Sequence, residues 1–545
     1  MVFYAFYWTT VAHIKGLISE ATNAVSLFVS LNPSYWSSIL MRFHLRNIKF
    51  ILFASALVSN SQAQCPDYTT YSQTPHDPRS TGPLALPYMR PAPACRTFNS
   101  SSVEKVITDM KSLLKDPDIA RLFENTFPNT LDTTVKYFSD QENLAFIITG
   151  DITAQWLRDT ANQFAHYHTL LAVDPKLATL VKAVINNEAR YVAEYPYCGS
   201  FQPPPESGLT PSVNSYAIGV IVNPPVNNQT VFECKYEIDS LCGFLKLSRS
   251  YYQATSDASF INNNWRDAVD QIFRVINEQS QGTFDANFNF ISYYNWTGGA
   301  GSLSPAVNNL GNGEPKAYTG LVGTHHRPSD DLSVFAFLTP ANAMLSVELT
   351  NLANMLDDVG QLKNVSQLAK TWSTRISDAI YATTVVDDIF AYETNGLGSR
   401  YVMDDANVPS LLSLPYLGFL NKTHPAYVAT RQLLLSRGNP YYSAGKTFNG
   451  IGGPHVDPWN PWPMSHISAI YGTDNDQEIL QHLYLIANST NDLGLIHESQ
   501  SIYDTSYTRS WFAWANSYFA EMILDLAERK PELILKTNKP YTPGR

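Results

Sequence analysis

Roughly a dozen stretches of this chain carry apolar residues at helical spacing, and no strand-length segments alternate with them. In the first, 103–125, Val106, Ile107, Met110, Leu113 and Leu114 share one face of a 3.6-residue period. Comparable runs occupy 154–172, 175–193, 236–254, 264–279, 340–358 and 361–382, then 409–420, 424–436, 462–471, 476–488 and 508–529. The lack of βαβ alternation excludes a Rossmann fold and a TIM barrel. A dozen helices fit an all-α toroid, six inner helices ringed by six outer ones, the (α/α)6 barrel. Strand-like material is confined to short interludes at 284–296 and 385–402, where aromatic or β-branched residues alternate between Gly and Asn. Connections at 198–232, 298–328 and 438–463 are longer than compact domains usually carry, which is how a site is built over the end of a scaffold.

Residues 41–63 have the pattern of a secretory signal peptide. Arg42, His44, Arg46 and Lys49 precede the apolar core Phe50 to Val58, and Ser61-Gln62-Ala63 supplies small residues for cleavage. Residues 1–40 fit no targeting pattern and are either an N-terminal extension or an over-extended gene model, so Met1 and Met41 both stand as starts. A Pro/Ser-rich lead-in over 64–100 is followed by a single catalytic domain over 101–530 and a tail over 531–545. No later stretch is long and apolar enough for a transmembrane helix, so no stable span is expected in the mature form. The expected location is the secretory pathway, with an extracellular end point. Asn-X-Ser/Thr acceptors at Asn99, Asn228, Asn295, Asn364, Asn421 and Asn488 are compatible with a glycoprotein there. In that oxidising compartment Cys65, Cys95, Cys198, Cys234 and Cys242 would form two disulfides and leave one thiol. Their spacing matches no zinc pattern, and no metal or cofactor is expected. The 48 acidic against 37 basic residues argue against a nucleic-acid partner and suit a neutral substrate.

Three polar segments sit where loops give way to apolar runs: Gln155-Trp156-Leu157-Arg158-Asp159, Arg327-Pro328-Ser329-Asp330-Asp331 and Ile496-His497-Glu498-Ser499. Widely separated carboxylates among aromatics are what glycoside hydrolysis needs, one acid to protonate the leaving oxygen and a second carboxylate at the anomeric carbon or its water. Asp330 and Asp331 precede the apolar run 332–338, so one of them reads as a helix cap. Neighbouring Arg327 would hold one of the two ionised, giving the pair different environments. Arg158 and Asp159 have the chemistry of a clamp on vicinal sugar hydroxyls, Asp accepting and Arg donating. A second cluster of that kind is Glu233-Cys234-Lys235-Tyr236-Glu237-Ile238-Asp239. Among the aromatics, Trp156, Trp459, Trp462 and Trp511 stand next to polar motifs and are candidates for sugar stacking.

Competing chemistries fail on their spacing. His497-Glu498 has Ser501 where a metalloprotease needs its second His. Ala444-Gly445-Lys446-Thr447 has Pro440 where a phosphate loop begins with Gly, and no Gly-x-Ser-x-Gly elbow is present.

The ordered set Trp-x-Arg-Asp, Glu-Ile-Asp-Ser, Arg-Pro-Ser-Asp-Asp, Gly-Gly-Pro-His, His-Glu-Ser and Arg-Ser-Trp-Phe-Ala-Trp-Ala-Asn resembles glycoside hydrolase family 125, the exo-α-1,6-mannosidases, over about residues 100–530. The resemblance implies an (α/α)6 barrel and an inverting, metal-independent glycosidase. Its substrate would be non-reducing terminal α-1,6-linked mannose on an oligosaccharide or glycoprotein glycan. It further implies Glu498 as general base and Asp330 as general acid, with Asp331 the alternative. Trp156, Arg158, Asp159, Glu237, Asp239, Arg327, Asp331, His455, Trp459 and His497 would bind substrate. The rival readings are another helical-barrel carbohydrate-active enzyme and a non-catalytic glycan-binding protein on the same scaffold.

Overall fold

Twelve helices of nine residues or more stand among the described residues, most of them bounded by features legible in the sequence. The structure, a computed structural model, describes residues 65–298 and 308–544. Segments 1–40 and 41–63 lie outside the described residues, and every element below belongs to the unit spanning 66–545.

The run 103–125 forms two helices, α1 (Ser101–Leu113) and α2 (Pro117–Thr126). Ser100 caps α1 by accepting from the Val103 amide at 3.1 Å. Asp116 caps α2 by accepting from the Asp118 amide at 2.8 Å, and Pro117 has no N–H with which to continue α1. The remaining helices are α3 (Leu157–Ala165), α4 (Pro175–Glu194), α5 (Ile238–Thr255), α6 (Asn263–Gln279), α7 (Thr339–Val359) and α8 (Lys363–Thr383). They are followed by α9 (Pro425–Leu434), α10 (Pro463–Tyr471), α11 (Asp476–Asn488) and α12 (Ala513–Arg529).

The fold is an (α/α)6 barrel. Inner helix α3 packs on α5 and α12, α5 on α7, and α10 on α12, while outer partners include α8 on α7 and α11 on α10. One inner position holds turns in place of the helix expected at 409–420. Pro415 has no N–H to give the Leu411 carbonyl, and its ring would clash there. The Leu411 and Leu412 amides donate instead to the buried Asp404 carboxylate at 2.8 and 3.0 Å. Tyr416 still closes the ring, its hydroxyl donating to Glu521 of α12 at 2.9 Å and accepting from Lys246 of α5 at the same distance.

No sheet among the described residues exceeds three strands. β1 (Gln155–Trp156), β2 (Ser200–Phe201) and β3 (Val231–Glu233) pair antiparallel just before α3 and α5. β4 (Phe337–Leu338) pairs with β5 (Glu393–Thr394), which pairs with β6 (Arg400–Tyr401). Residues 332–338 are therefore not the helix expected after Asp331. The Val334 and Phe335 amides donate to Glu393 at 2.9 and 3.0 Å, and α7 begins only at Thr339. Run 508–529 likewise starts late: β7 (Ser499–Gln500) and β8 (Tyr507–Thr508) form a hairpin ahead of α12. Cys198 and Cys234 are joined by a disulfide across the 198–232 connection. Cys65 and Cys95 are also disulfide-bonded, and Cys242 is a free, buried thiol.

Candidate active site

Close contact between α3 and α5 is what assembles the polar centre. Gly243 on α5 makes it feasible, since a Cβ there would lie 2.8 Å from the Leu157 carbonyl oxygen and 3.1 Å from the Arg158 Cα. The start of α5 thereby brings Glu237 and Asp239 against Arg158 in the first turn of α3. Arg158 Nη1 lies 2.5 Å from Glu237 Oε2 and 3.5 Å from Asp239 Oδ2. Its Nη2 lies 3.3 Å from Asp159 Oδ2 and 3.4 Å from Asp330 Oδ1. One guanidinium thus faces four carboxyl groups, three of them almost wholly buried.

Four carboxylates against one cation, out of water, cannot all stay ionised. Burial pushes Asp159 and Asp239 up to about 6 against the pull of Arg158, and pushes Glu237 well above the usual carboxyl range. Asp330 goes the other way. Burial alone would raise it, but Arg158, Lys235, a hydrogen bond with Glu237 and His455 hold it below the usual range. Asp330 also occupies the left-handed backbone region, φ 67°, an uncommon conformation for a residue with a side chain. That turn carries its carboxyl to the pocket while Asp331 faces elsewhere.

Asp330 lines a cavity of about 680 Å³ together with Trp156, Arg158, Asp159, His455 and Glu498. Glu498 precedes β7, and its amide donates to the Thr508 carbonyl of β8 at 3.2 Å. Arg509 Nε lies 3.3 Å from Glu498 Oε1, and Arg509 Nη1 lies 3.4 Å from Asp151 Oδ1. Arg509 too is left-handed, φ 53°, at the end of the hairpin. A shallower depression of about 720 Å³ on the outer helix α8, lined by Lys370, Arg375 and Asp378, has no converging group of acids.

Several expected contact residues lie outside that lining. Arg327 is buried on Glu393 at 2.6 Å with its guanidinium over Tyr392, so the cation at Asp330 is Arg158 and not Arg327. Asp331 accepts from Ser329 Oγ at 3.0 Å and lies 3.4 Å from His455 Nδ1; it caps no helix. Burial opposes a charge on His455, but the Asp331 hydrogen bond and nearby acids raise it to about 9. Glu237 and Asp239 sit behind Arg158. His497, lowered to about 4 by burial, presents both ring nitrogens to backbone carbonyls, of Thr490 and Arg509, each at 3.1 Å, and stacks on Tyr507. It braces the hairpin that carries Glu498. Trp459 is 44% exposed and outside the lining, whereas Trp462 is within it. Trp511 packs in a small cluster with Tyr68 and Phe146.

Sequence reading passed over Asp151, Arg509 and the rim 212–216 as site residues, all of which line the cavity. Arg509 had a signal, as the basic first residue of the Arg-Ser-Trp-Phe motif directly after the Glu498 hairpin. The rim, an irregular stretch with Val213 and Tyr216 exposed, had none. Among the described residues, no group of three or more His, Cys, Asp or Glu is arranged to hold a metal ion.

The family described as metal-independent alpha-mannosidase (GH125) matches residues 116–524. The Meiotically up-regulated gene 157 protein of Schizosaccharomyces pombe is 45% identical over 517 residues, 92% of this chain and 99% of that protein. A Streptococcus pneumoniae metal-independent alpha mannosidase, solved as a non-productive complex with alpha-1,6-mannobiose, superposes with a TM-score of 0.70 at 27% identity. The match covers 79% of this chain and 99% of that one.

Proposed function

Because this chain belongs to the GH125 family of metal-independent α-mannosidases, we propose that it removes non-reducing terminal α-1,6-linked mannose by an inverting, metal-independent displacement. One observation carries the reading: Asp330 and Glu498, from segments far apart in sequence, line one cavity whose buried side is the Arg158 cluster. Exo action fits a pocket with buried Arg158 and Asp159 on one side and the exposed Val213 and Tyr216 at its rim. The α-1,6 linkage draws support from the mannobiose bound by the Streptococcus pneumoniae relative.

In this mechanism Arg158 and Asp159 clamp the terminal sugar, Asp159 accepting from a hydroxyl and Arg158 donating. Glu498 takes a proton from water, and the oxygen so freed attacks the anomeric carbon. Asp330 protonates the glycosidic oxygen as the C–O bond breaks with its electron pair. Inversion requires roughly 6.5–9.5 Å between the two carboxyl groups, room for one water beneath the sugar. Incubation with α-1,6-, α-1,3- and α-1,2-mannobiose, followed by proton NMR in the first minutes, tests the reading. The expected result is release of β-mannose from the α-1,6 isomer alone. Initial α-mannose would overturn inversion, and turnover unchanged by a chelator is expected throughout.

The proposed substrate is a mannose-bearing glycan met along the secretory route. Support comes from the Cys198–Cys234 disulfide, since such bonds persist in oxidising compartments. Sequencing the N-terminus of the mature protein tests this, with cleavage after Ala63 expected.

A further inference from the structure

Glu237 has no place in the pocket lining, yet it is the group held most tightly against the Arg158 cluster. It is 2% exposed. Oε2 lies 2.5 Å from Arg158 Nη1 and accepts from Ser240 Oγ at 3.2 Å. Gly199 closes over it, since a Cβ there would lie 2.7 Å from Ser240 Oγ and 3.4 Å from Glu237 Oε2. The other oxygen, Oε1, is buried and accepts from no donor. An ionised carboxylate would leave that lone-pair site empty in a dry environment at considerable cost. A protonated carboxyl removes the problem, because it donates, and Asp330, whose Oδ1 lies 3.4 Å from the other terminal nitrogen of the Arg158 guanidinium, is the neighbouring acceptor. Asp330, 21% exposed, is the member of the pair that reaches the cavity.

We propose that Glu237 is a positioning residue that stores, behind Asp330, the proton that Asp330 delivers to the glycosidic oxygen. The inference rests on Asp330 being the general acid. It resolves a tension in that reading, since the cations around Asp330 favour its carboxylate while the chemistry needs its acid. Before reaction the proton is on Glu237 and bridges to Asp330. When sugar displaces water from the cavity, ionised Asp330 loses hydration, and the proton passes to it. The Glu237 O–H bond breaks, an Asp330 O–H bond forms, and the new Glu237 carboxylate is met by Arg158. Asp330 then surrenders that proton to the glycosidic oxygen as the C–O bond breaks, the electron pair staying on that oxygen. The proton taken from water by Glu498 returns to solvent, and solvent reprotonates the pair after product leaves.

The charged groups facing this pair come from several elements. Arg158 and Asp159 are on α3 and Asp239 is on α5. Lys235 is paired with Glu233 at 2.8 Å, and His455 and Arg509 come from the loops opposite. Buried His326 also faces Asp330 and is held uncharged. With Glu237 neutral and unable to give a proton, the cations in this set would keep Asp330 ionised to lower pH.

Glu237→Gln is compared with the parent and with Asp330→Asn on α-1,6-mannobiose and on 2,4-dinitrophenyl α-mannoside, whose leaving group needs no proton. For Glu237→Gln, kcat/KM on mannobiose should fall on the order of 10²-fold, and the basic limb of its pH profile should move to lower pH. Turnover of the activated substrate should stay within about 5-fold of the parent. Equal losses on both substrates would mean that Glu237 only holds Arg158 in place, and unchanged mannobiose turnover would mean that it holds no useful proton; either overturns the proposal. Asp330→Asn separates the two readings. If it loses both substrates equally, the acid assignment itself fails; if it spares the activated substrate while Glu237→Gln does not, only the proton store fails. Should Glu237→Gln not fold, Glu237→Asp serves, a displaced basic limb with leaving-group selectivity supporting the proposal and equal losses overturning it.

Discussion

Asp330 and Glu498 face the same cavity from unlike surroundings. Behind Asp330 stand three buried acids sharing one guanidinium with it. Beside Glu498 stands Arg509, 24% exposed, which also pairs with Asp151. On the first side acid outnumbers cation in a dry setting, so a proton must be retained. On the second one guanidinium meets two carboxyl groups, a smaller excess of acid over cation. The two sides of the pocket therefore differ in how far acid exceeds cation, and the larger surplus lies behind Asp330. Each side has a left-handed residue at the site, Asp330 on the first and Arg509 on the second.

The comparison breaks most visibly by mutating the accepting side. Glu498→Gln should cost about 10³-fold or more in kcat on both α-1,6-mannobiose and 2,4-dinitrophenyl α-mannoside, because both substrates need activated water. Steady-state rates on the two substrates check this. A Glu498→Gln variant that kept its activity on the dinitrophenyl substrate would show the sides to be exchanged.

The cations sharpen the contrast in stability. Arg158→Met strips the paired guanidinium from three buried acids and should destabilise the fold by about 3–5 kcal/mol at pH 7. The loss should shrink near pH 5, where Asp159 and Asp239, whose carboxyls are raised to about 6, take up protons. Arg509→Met, at a partly exposed site, should cost only about 1 kcal/mol. Urea unfolding at the two pH values measures both, and equal losses for the two variants would erase the distinction.

Much of this arrangement was legible before any coordinates, because helix spacing and the acid motifs are local signals. Eleven of the twelve apolar runs read from the sequence hold the twelve long helices, because run 103–125 holds both α1 and α2, separated by the Asp116-Pro117 cap. The runs misread were those whose partners lie far along the chain. Residues 332–338 look helical, but Glu393 claims their amides from 58 and 59 positions away. Segment 409–420 has helical apolar spacing, but Pro415 and the carboxylate of Asp404 favour turns. Arg327 adjoins the acids in sequence, yet its partner is again Glu393, so the neighbour seen in the chain was not the neighbour in space. Trp459 stood beside Trp462 in one motif, and only the fold could say which of the two turns inward.

The smallest expected effect concerns Asp331, which an adjacent-pair reading would treat as Asp330's equal. In the fold it belongs to His455, so Asp331→Asn should leave mannobiose hydrolysis within about 10-fold and reveal itself in stability against pH. His455 is raised from 6.5 to about 9, so its protonated form is favoured in the folded state. That contribution is full below pH 6.5, declines as pH rises, and is gone once pH passes 9. The parent should therefore lose melting temperature between pH 6.5 and 9 beyond what its other groups impose. Asp331→Asn removes the carboxylate that does most to raise His455, so the decline should become shallower and finish at lower pH. His455→Asn should abolish this component altogether. Thermal melts at half-unit intervals would show it, and identical slopes for all three proteins would detach His455 from Asp331. In that case Asp331 would have to be returned to the list of candidate acids.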